Sequence, residues 1–197
     1  MTRRMQSVET LREEHDAVRL VLAELERAVA AAEQGRPVAA DVFVDIQEFF
    51  SVFVDRCHHH KEEAVVFPRL LAHEDGAKLI RQLEAEHDAG RGLDEAFAAA
   101  VVDYRPGDAA ASGRLAAAAR AYARALRQHI DAETTGLFPA MERDLGHVDA
   151  EMCDRFEHIE TDELGPDTHE RLHAMIERLP ARIDASLAAG SGVPLSI

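Results

Sequence analysis

Apolar positions recur along this chain in steps of three and four, the spacing of one helical face. Leu11, Val18, Leu22, Leu25 and Val29 form the first stripe, with His15 in line, and predict a helix over 8–34 that Gly35-Arg36-Pro37 stops. Phe43, Ile46, Phe50, Val54 and Val65 mark a second helix over 38–72, which Pro68 is expected to kink or end. Ile80, Leu83, Phe97 and Val101 mark a third over 76–104, with His87 in phase, before Arg105-Pro106-Gly107-Asp108 breaks the chain. Leu115, Tyr122, Leu126 and Leu137 mark a fourth over 112–145. Two shorter helical stretches, 148–162 and 166–187, flank Leu164-Gly165-Pro166, and residues from about 188 onward read as a frayed tail. No segment alternates with period two for long enough to demand a strand. The pattern predicts an all-α fold: an antiparallel up-down four-helix bundle over residues 1–146, with residues 147–197 as a C-terminal helical extension packed on it.

Composition narrows the function. Hydrophobic residues make up 47% of the 197, enough to build a core. Lys and Arg number 22 against 37 Asp and Glu, a net charge of -15, which argues against nucleic acid and anionic membrane as partners. No apolar run is long enough for a transmembrane helix, and the opening residues MTRRMQSVETL lack the apolar stretch of a signal peptide. Cys57 and Cys153 are the only cysteines, too few for a disulfide framework, so a reducing cytoplasm is the expected location. The terminal helices offer a surface for self-association. The unusual count is eleven histidines.

Those histidines fall into a repeat. His58-His59-His60-Lys61-Glu62, followed by Phe67-Pro68, returns as His129-Ile130-Asp131-Ala132-Glu133, followed by Phe138-Pro139. Glu14-His15-Asp16-Ala17 returns as Glu86-His87-Asp88-Ala89, with Arg19 and Arg91 also matching. Two copies of one helical hairpin therefore each offer a His on the first helix and a His-x-x-x-Glu on the second. Positions i and i+4 share a helical face, so His58/Glu62 and His129/Glu133 are natural chelating pairs. His15 and His87 lie in phase with apolar stripes and point inward. Burying these six groups is costly unless they are paired or bound to a cation. Four imidazoles and two carboxylates suit Fe, Mn or Zn better than Ca or Mg, and six donors exceed the four that close a structural zinc. The pattern predicts a dinuclear centre.

These residues resemble the hemerythrin-like (HHE) cation-binding family over about residues 8–145. The resemblance implies a four-helix bundle around two non-haem Fe ions, for which Mn or Zn can substitute, with His15, His58, Glu62, His87, His129 and Glu133 as metal ligands. It implies binding of, or reaction with, O2, NO or hydrogen peroxide at an open position between the irons, or sensing of oxygen, NO or iron. One departure stands out. Oxygen carriers have a His-x-x-x-His on the third helix, whereas Leu83 and Arg91 flank His87 here, which favours redox or sensing chemistry over oxygen carriage.

Further residues have a weaker claim. His59 is adjacent to a ligand but turned about 100° away on an α-helix; it is read either as a seventh ligand or as a packing residue. His60 and Glu63 are read as supporting or exposed. Tyr122 is read as a phenolate ligand, a hydrogen-bonding partner of bound oxygen, or a core residue. Phe67 and Phe138 are expected to shield the site, Asp16 and Asp88 to face solvent, and Cys57 to be a small buried residue. His158, His169 and His173 could form a second metal site or a polar helix face. Glu84-x-x-His87 and Glu170-x-x-His173 match a ferritin-like carboxylate bundle, an alternative that leaves the duplicated His-x-x-x-Glu motifs unexplained.

Overall fold

The computed structural model describes residues 5–73 and 76–190 and is all-helical among them. Helix α1 is Gln6–Glu33. Helix α2, Ala40–Phe49, runs on through π-wound stretches at Phe50–His59 and Glu62–Val66 into α3, Phe67–Leu70. Helix α4 is Gly76–Asp103, and α5, Ala109–Ala132, continues through the π-wound Glu133–Leu137 into α6, Phe138–Asp144. Helix α7, Asp149–His158, and α8, Pro166–Gly190, complete the described chain. Helix α8 runs to Gly190, and residues 191–197, most of the stretch expected to fray, lie outside the described residues.

The helix boundaries have local causes. Gly35 takes φ 75, and the Gly35 and Arg36 N–H groups turn back to the carbonyls of Ala32 and Ala31, closing α1 as its sequence predicts. Helix α5 begins three residues before the expected 112, since the Asp108 carboxylate caps it by accepting from the Ala110 and Ala111 N–H groups. Pro68 does not end its helix. The Phe67 N–H reaches back five residues to the Glu62 carbonyl, and this wider turn relieves the clash between a proline ring and the carbonyl four residues earlier. Phe138, before Pro139, reaches Glu133 in the same way.

Helix α1 has no capping side chain of its own at Met5. Asp149, at the start of α7, supplies one from across the fold, accepting from the Gln6 N–H at 2.8 Å, the Ser7 N–H at 3.0 Å and the Ser7 hydroxyl at 2.7 Å. Asp149→Ala is expected to cost about 1–2 kcal/mol of stability. Chemical denaturation would measure it, and an unchanged midpoint would show that these bonds contribute nothing.

Helix α4 packs along α5, and α5 along α1, giving a helical bundle on which α7 and α8 also rest. Leu172, Leu179 and Ile183 of α8 are buried in the same cluster as Leu22, Phe43, Phe50, Phe97 and Tyr104. Burial of each is worth roughly 1.5–3 kcal/mol, against about 0–1 kcal/mol for each surface ion pair. Apolar packing therefore seats α8 more firmly than Arg182–Asp41 or Arg171–Glu48. A second apolar cluster joins Leu11, Phe67, Ile80, Leu83, Leu137 and Phe138 to Met152, Phe156 and Ile159 of the C-terminal segment. Between the two clusters lies a belt of buried polar groups. No described helix is long and apolar enough to cross a membrane.

Candidate metal centre

The belt contains all six residues that the repeat singles out, each at most 5% exposed. Helix α1 brings His15, the π-wound continuation of α2 brings His58 and Glu62, α4 brings His87, and the end of α5 brings His129 and Glu133. They form two overlapping quartets, His15/His58/Glu62/Glu133 and Glu62/His87/His129/Glu133, with the donor atoms of each within 4.8 Å of one another. Both carboxylates are common to the two quartets. Glu133 lies 2.9 Å from His15 Nε2 and 2.8 Å from His129 Nε2, and Glu62 lies 3.7 Å from His58 Nε2 and 3.4 Å from His87 Nε2.

Carboxylates on the outer side of the rings fix the imidazoles. His58 Nδ1 donates to Glu14 at 2.7 Å, His87 Nδ1 to Glu63 at 2.7 Å and His129 Nδ1 to Glu86 at 3.0 Å. A carboxylate only accepts, so each Nδ1 carries a proton, and in the neutral ring Nε2 then turns a lone pair inward. Yet His87 Nε2 faces His129 Nε2 at 3.0 Å, and His15 Nε2 faces His58 Nε2 at 3.1 Å. The oxygens of Glu62 and Glu133 are buried with no hydrogen-bond partner. Lone pairs converge here on lone pairs and carboxylate oxygens, and a cation between them is what this donor set lacks. The residues fit a metal.

Electrostatics shows the same deficit. Burial and the Glu133 carboxylate push Glu62 up to about 7. Burial alone would lower His58 and His87, but the surrounding glutamates outweigh it and push them up to about 10 and about 11. Burial would likewise raise Glu133, yet the imidazoles around it hold it well below the usual carboxylate range.

The repeat is imperfect in informative ways. Glu14 pairs with His58 and Glu86 with His129, each across to the second helix of its own hairpin rather than to the adjacent His. Sequence reading recorded both Glu-His-Asp motifs without assigning the Glu a role; their matched positions were the available signal. Glu63, which holds His87, has Thr134 as its repeat counterpart, and His15 Nδ1 is left without a partner. Glu14 also meets Lys61, a fully buried lysine that bonds Glu160 of the segment between α7 and α8 as well. The repeat counterpart of Lys61 is Ala132.

Other sequence expectations sort as follows. His59 does not turn away as α-helical winding would have it. In the wider π winding it is buried beside His58, stacked on the His87 ring at 3.8 Å, with neither ring nitrogen hydrogen-bonded. Burial pulls its pKa down to about 3, so it is neutral. Phe138 stacks on His15 and Phe67 on His87, where they cover the rings. Tyr122 packs on Phe50, and burial pushes its pKa well up, which keeps it a phenol rather than a phenolate. Burial pushes the Cys57 thiol up to about 12 and leaves it unreactive. Asp16 and Asp88 are exposed beside Arg19 and Arg91, and His60 bonds Glu163. His158 and His173 are exposed, and the side chain of His169 lies outside the described residues. The ferritin-like arrangement is not formed, because Glu84, Glu170 and His173 are exposed whereas His87 is fully buried.

A helical bundle with a buried His/Glu belt between its apolar clusters defines a cation-binding protein of the all-α class. The chain matches the hemerythrin HHE cation binding domain over residues 6–141. It belongs to that family, whose domains bind metal cations. No curated protein and no solved structure gives a significant match.

Proposed function

We propose that the chain is a dinuclear non-haem iron protein that binds or turns over a small oxidant, hydrogen peroxide, O2 or NO, in the cytoplasm. The two facing Nε2 pairs, with the Nδ1 groups of His58, His87 and His129 committed to carboxylates, carry this reading. His15 and His58 would hold one metal and His87 and His129 the other, with Glu62 and Glu133 within reach of both. The host is an antiparallel up-down four-helix bundle over residues 1–146, with 147–197 as an added helical unit. Bound iron supplies one-electron redox chemistry; Mn or Zn fit the same donors. Glu14, Glu63 and Glu86 keep the imidazoles oriented, and Phe67 and Phe138 limit water at the rings. Peroxide disproportionation, in which two peroxides give two waters and one dioxygen, needs no outside reductant.

Metal analysis of protein from iron-replete medium tests this directly. About two irons per chain are expected, together with O2 release on adding H2O2. One zinc, or no metal, overturns the dinuclear reading, and two irons without O2 release overturn peroxide turnover.

A second reading, a non-enzymatic sensor, has one observation in its favour. The contacts Glu160–Lys61–Glu14–His58 run unbroken from the C-terminal segment to the centre. A sensor should change the proteolysis of residues 147–190 when oxidant or NO is added, and an unchanged digest removes this reading.

A further inference from the structure

The repeat breaks down on one flank of the centre, and a cleft opens there. It is lined by Phe50, Asp55 and His59 from the π-wound stretch, by Gly90, Arg91, Asp94 and Glu95 from α4, and by Tyr122 from α5, and it holds about 230 Å³. The register of the repeat gives each wall residue a counterpart on the opposite flank. Gly90 corresponds to Val18, Asp94 to Leu22, Asp55 to Leu126 and His59 to Ile130. Those four counterparts are apolar and buried in the core. At these four positions the same hairpin geometry presents hydrocarbon on one flank and a glycine and polar groups on the other, although a groove beside Glu14 and Ala17 also lies on the first flank.

The inner end of the cleft is His59, whose ring stacks on His87 and meets His129 edge-on at 5.3 Å. His59 is about nineteen-twentieths buried, and both of its ring nitrogens lack a hydrogen-bond partner. Asp94 Oδ1 is also buried without a partner. A neutral imidazole offers one donor and one acceptor, and a phenol offers both. Buried polar groups left unsatisfied mark a place where a polar guest sits.

We propose that this cleft, with His59 at its inner end, is the access route and docking site through which hydrogen peroxide reaches the His/Glu centre. The proposal rests on the redox reading of that centre given above. Peroxide is small, neutral and able to donate and accept at both oxygens, which matches the unpartnered nitrogens of His59 and the oxygens of Asp94 and Tyr122. A water takes about 30 Å³, so the cleft has room for peroxide and its solvation. Dioxygen and NO gain little from such a lining. Anions are disfavoured, because Asp55, Asp94 and Glu95 surround the single cation, Arg91, which is already paired with Asp55, Glu63 and Asp88.

Gly90 provides the test. A Cβ built there meets no atom within 4 Å, so a side chain at position 90 has open space at its base, and Gly90→Leu is the variant designed to fill the cleft. The chain has two tyrosines and no tryptophan. In a Tyr104→Phe background, Tyr122 is then the sole emitter, and its quenching by acrylamide in the zinc-loaded full chain reads the cleft without redox chemistry. Gly90→Leu should reduce that quenching. It should also slow oxidation of the ferrous, iron-loaded protein by H2O2 about tenfold, with iron content unchanged. Ala17→Leu, in the groove on the opposite flank, should do neither. Quenching left unchanged by both Gly90→Leu and the bulkier Gly90→Phe overturns the route, as does reduced quenching with an unaltered oxidation rate. A wild-type protein that binds two irons but ignores peroxide overturns the peroxide reading of the centre itself, which separates the two failures.

Discussion

Glu133→Gln protein from iron-replete medium is expected to hold at most one iron per chain and to lose most of its stabilisation by metal. Glu133 touches both histidine pairs, at 2.9 Å from His15 and 2.8 Å from His129, and belongs to both quartets. An amide keeps the volume but removes the charge and one of the two oxygens that the quartets share. At a metal concentration a thousandfold above Kd, one bound ion stabilises the fold by about 4 kcal/mol. For a chain of this size that is roughly 8–16 °C in Tm. The wild type should show a rise of that order on loading, and Glu133→Gln only a small one. Metal analysis and thermal melts with and without metal check this together. A variant that still binds two irons with the full rise would mean that Glu133 is not a ligand. Without metal the same variant should still be less stable than the wild type, because the amide gives up the attraction of the imidazoles that holds the Glu133 carboxyl well below the usual carboxylate range.

Lys61→Met should cause the largest loss of stability that does not involve a ligand. Lys61 is fully buried between Glu14 and Glu160, and its ammonium lies 5.6 Å from the centre of the Phe156 ring. Removing one member of a buried ion pair typically costs about 3–5 kcal/mol, because the remaining charge stays desolvated. That corresponds to a Tm lower by roughly 6–20 °C. The pH dependence identifies the cause. Burial would raise the Glu14 carboxyl, but His58 and Lys61 outweigh it and lower it from 4.5 to about 2. A carboxylate with a depressed pKa stabilises the fold above its unfolded value, and that contribution disappears as the pH falls from 4.5 toward 2. Wild type and Lys61→Met should therefore differ most near neutrality and converge in acid. Melts across this range, with metal content matched, would show it. A constant gap would assign the loss to packing of the lysine stem rather than to its charge.

The helices, most of their ends and the site were legible because they rest on local rules. The three-four stripes, Gly35 and the Arg105–Asp108 break are properties of neighbouring residues, and the duplicated His-x-x-x-Glu needs only helical periodicity to show that His and Glu share a face. Less local features were not legible. The two π turns before Pro68 and Pro139 were not legible: Pro68 was expected to kink or end its helix and Pro139 carried no expectation, whereas the helix widens ahead of each. His59 was read as turned away because α winding was assumed. Asp149 capping α1, and Glu160 reaching Lys61, join residues far apart in the chain, and no spacing rule encodes them.

The sequence by itself determined that the chain is helical, that it contains a hairpin twice, and which four histidines and two glutamates that repetition carries inward, because periodicity and repetition are written along the chain. Only the tertiary structure decided how those groups meet. It set two imidazole pairs lone pair to lone pair, placed both glutamates between them, and assigned Glu14, Glu63 and Glu86 to hold the rings. It buried Val18, Leu22, Leu126 and Ile130 on one flank and opened a cleft at their counterparts Gly90, Asp94, Asp55 and His59 on the other. The physical reason is that hydrogen bonding and electrostatics act over a few ångströms of space, whatever the distance along the chain, and only packing brings those atoms together.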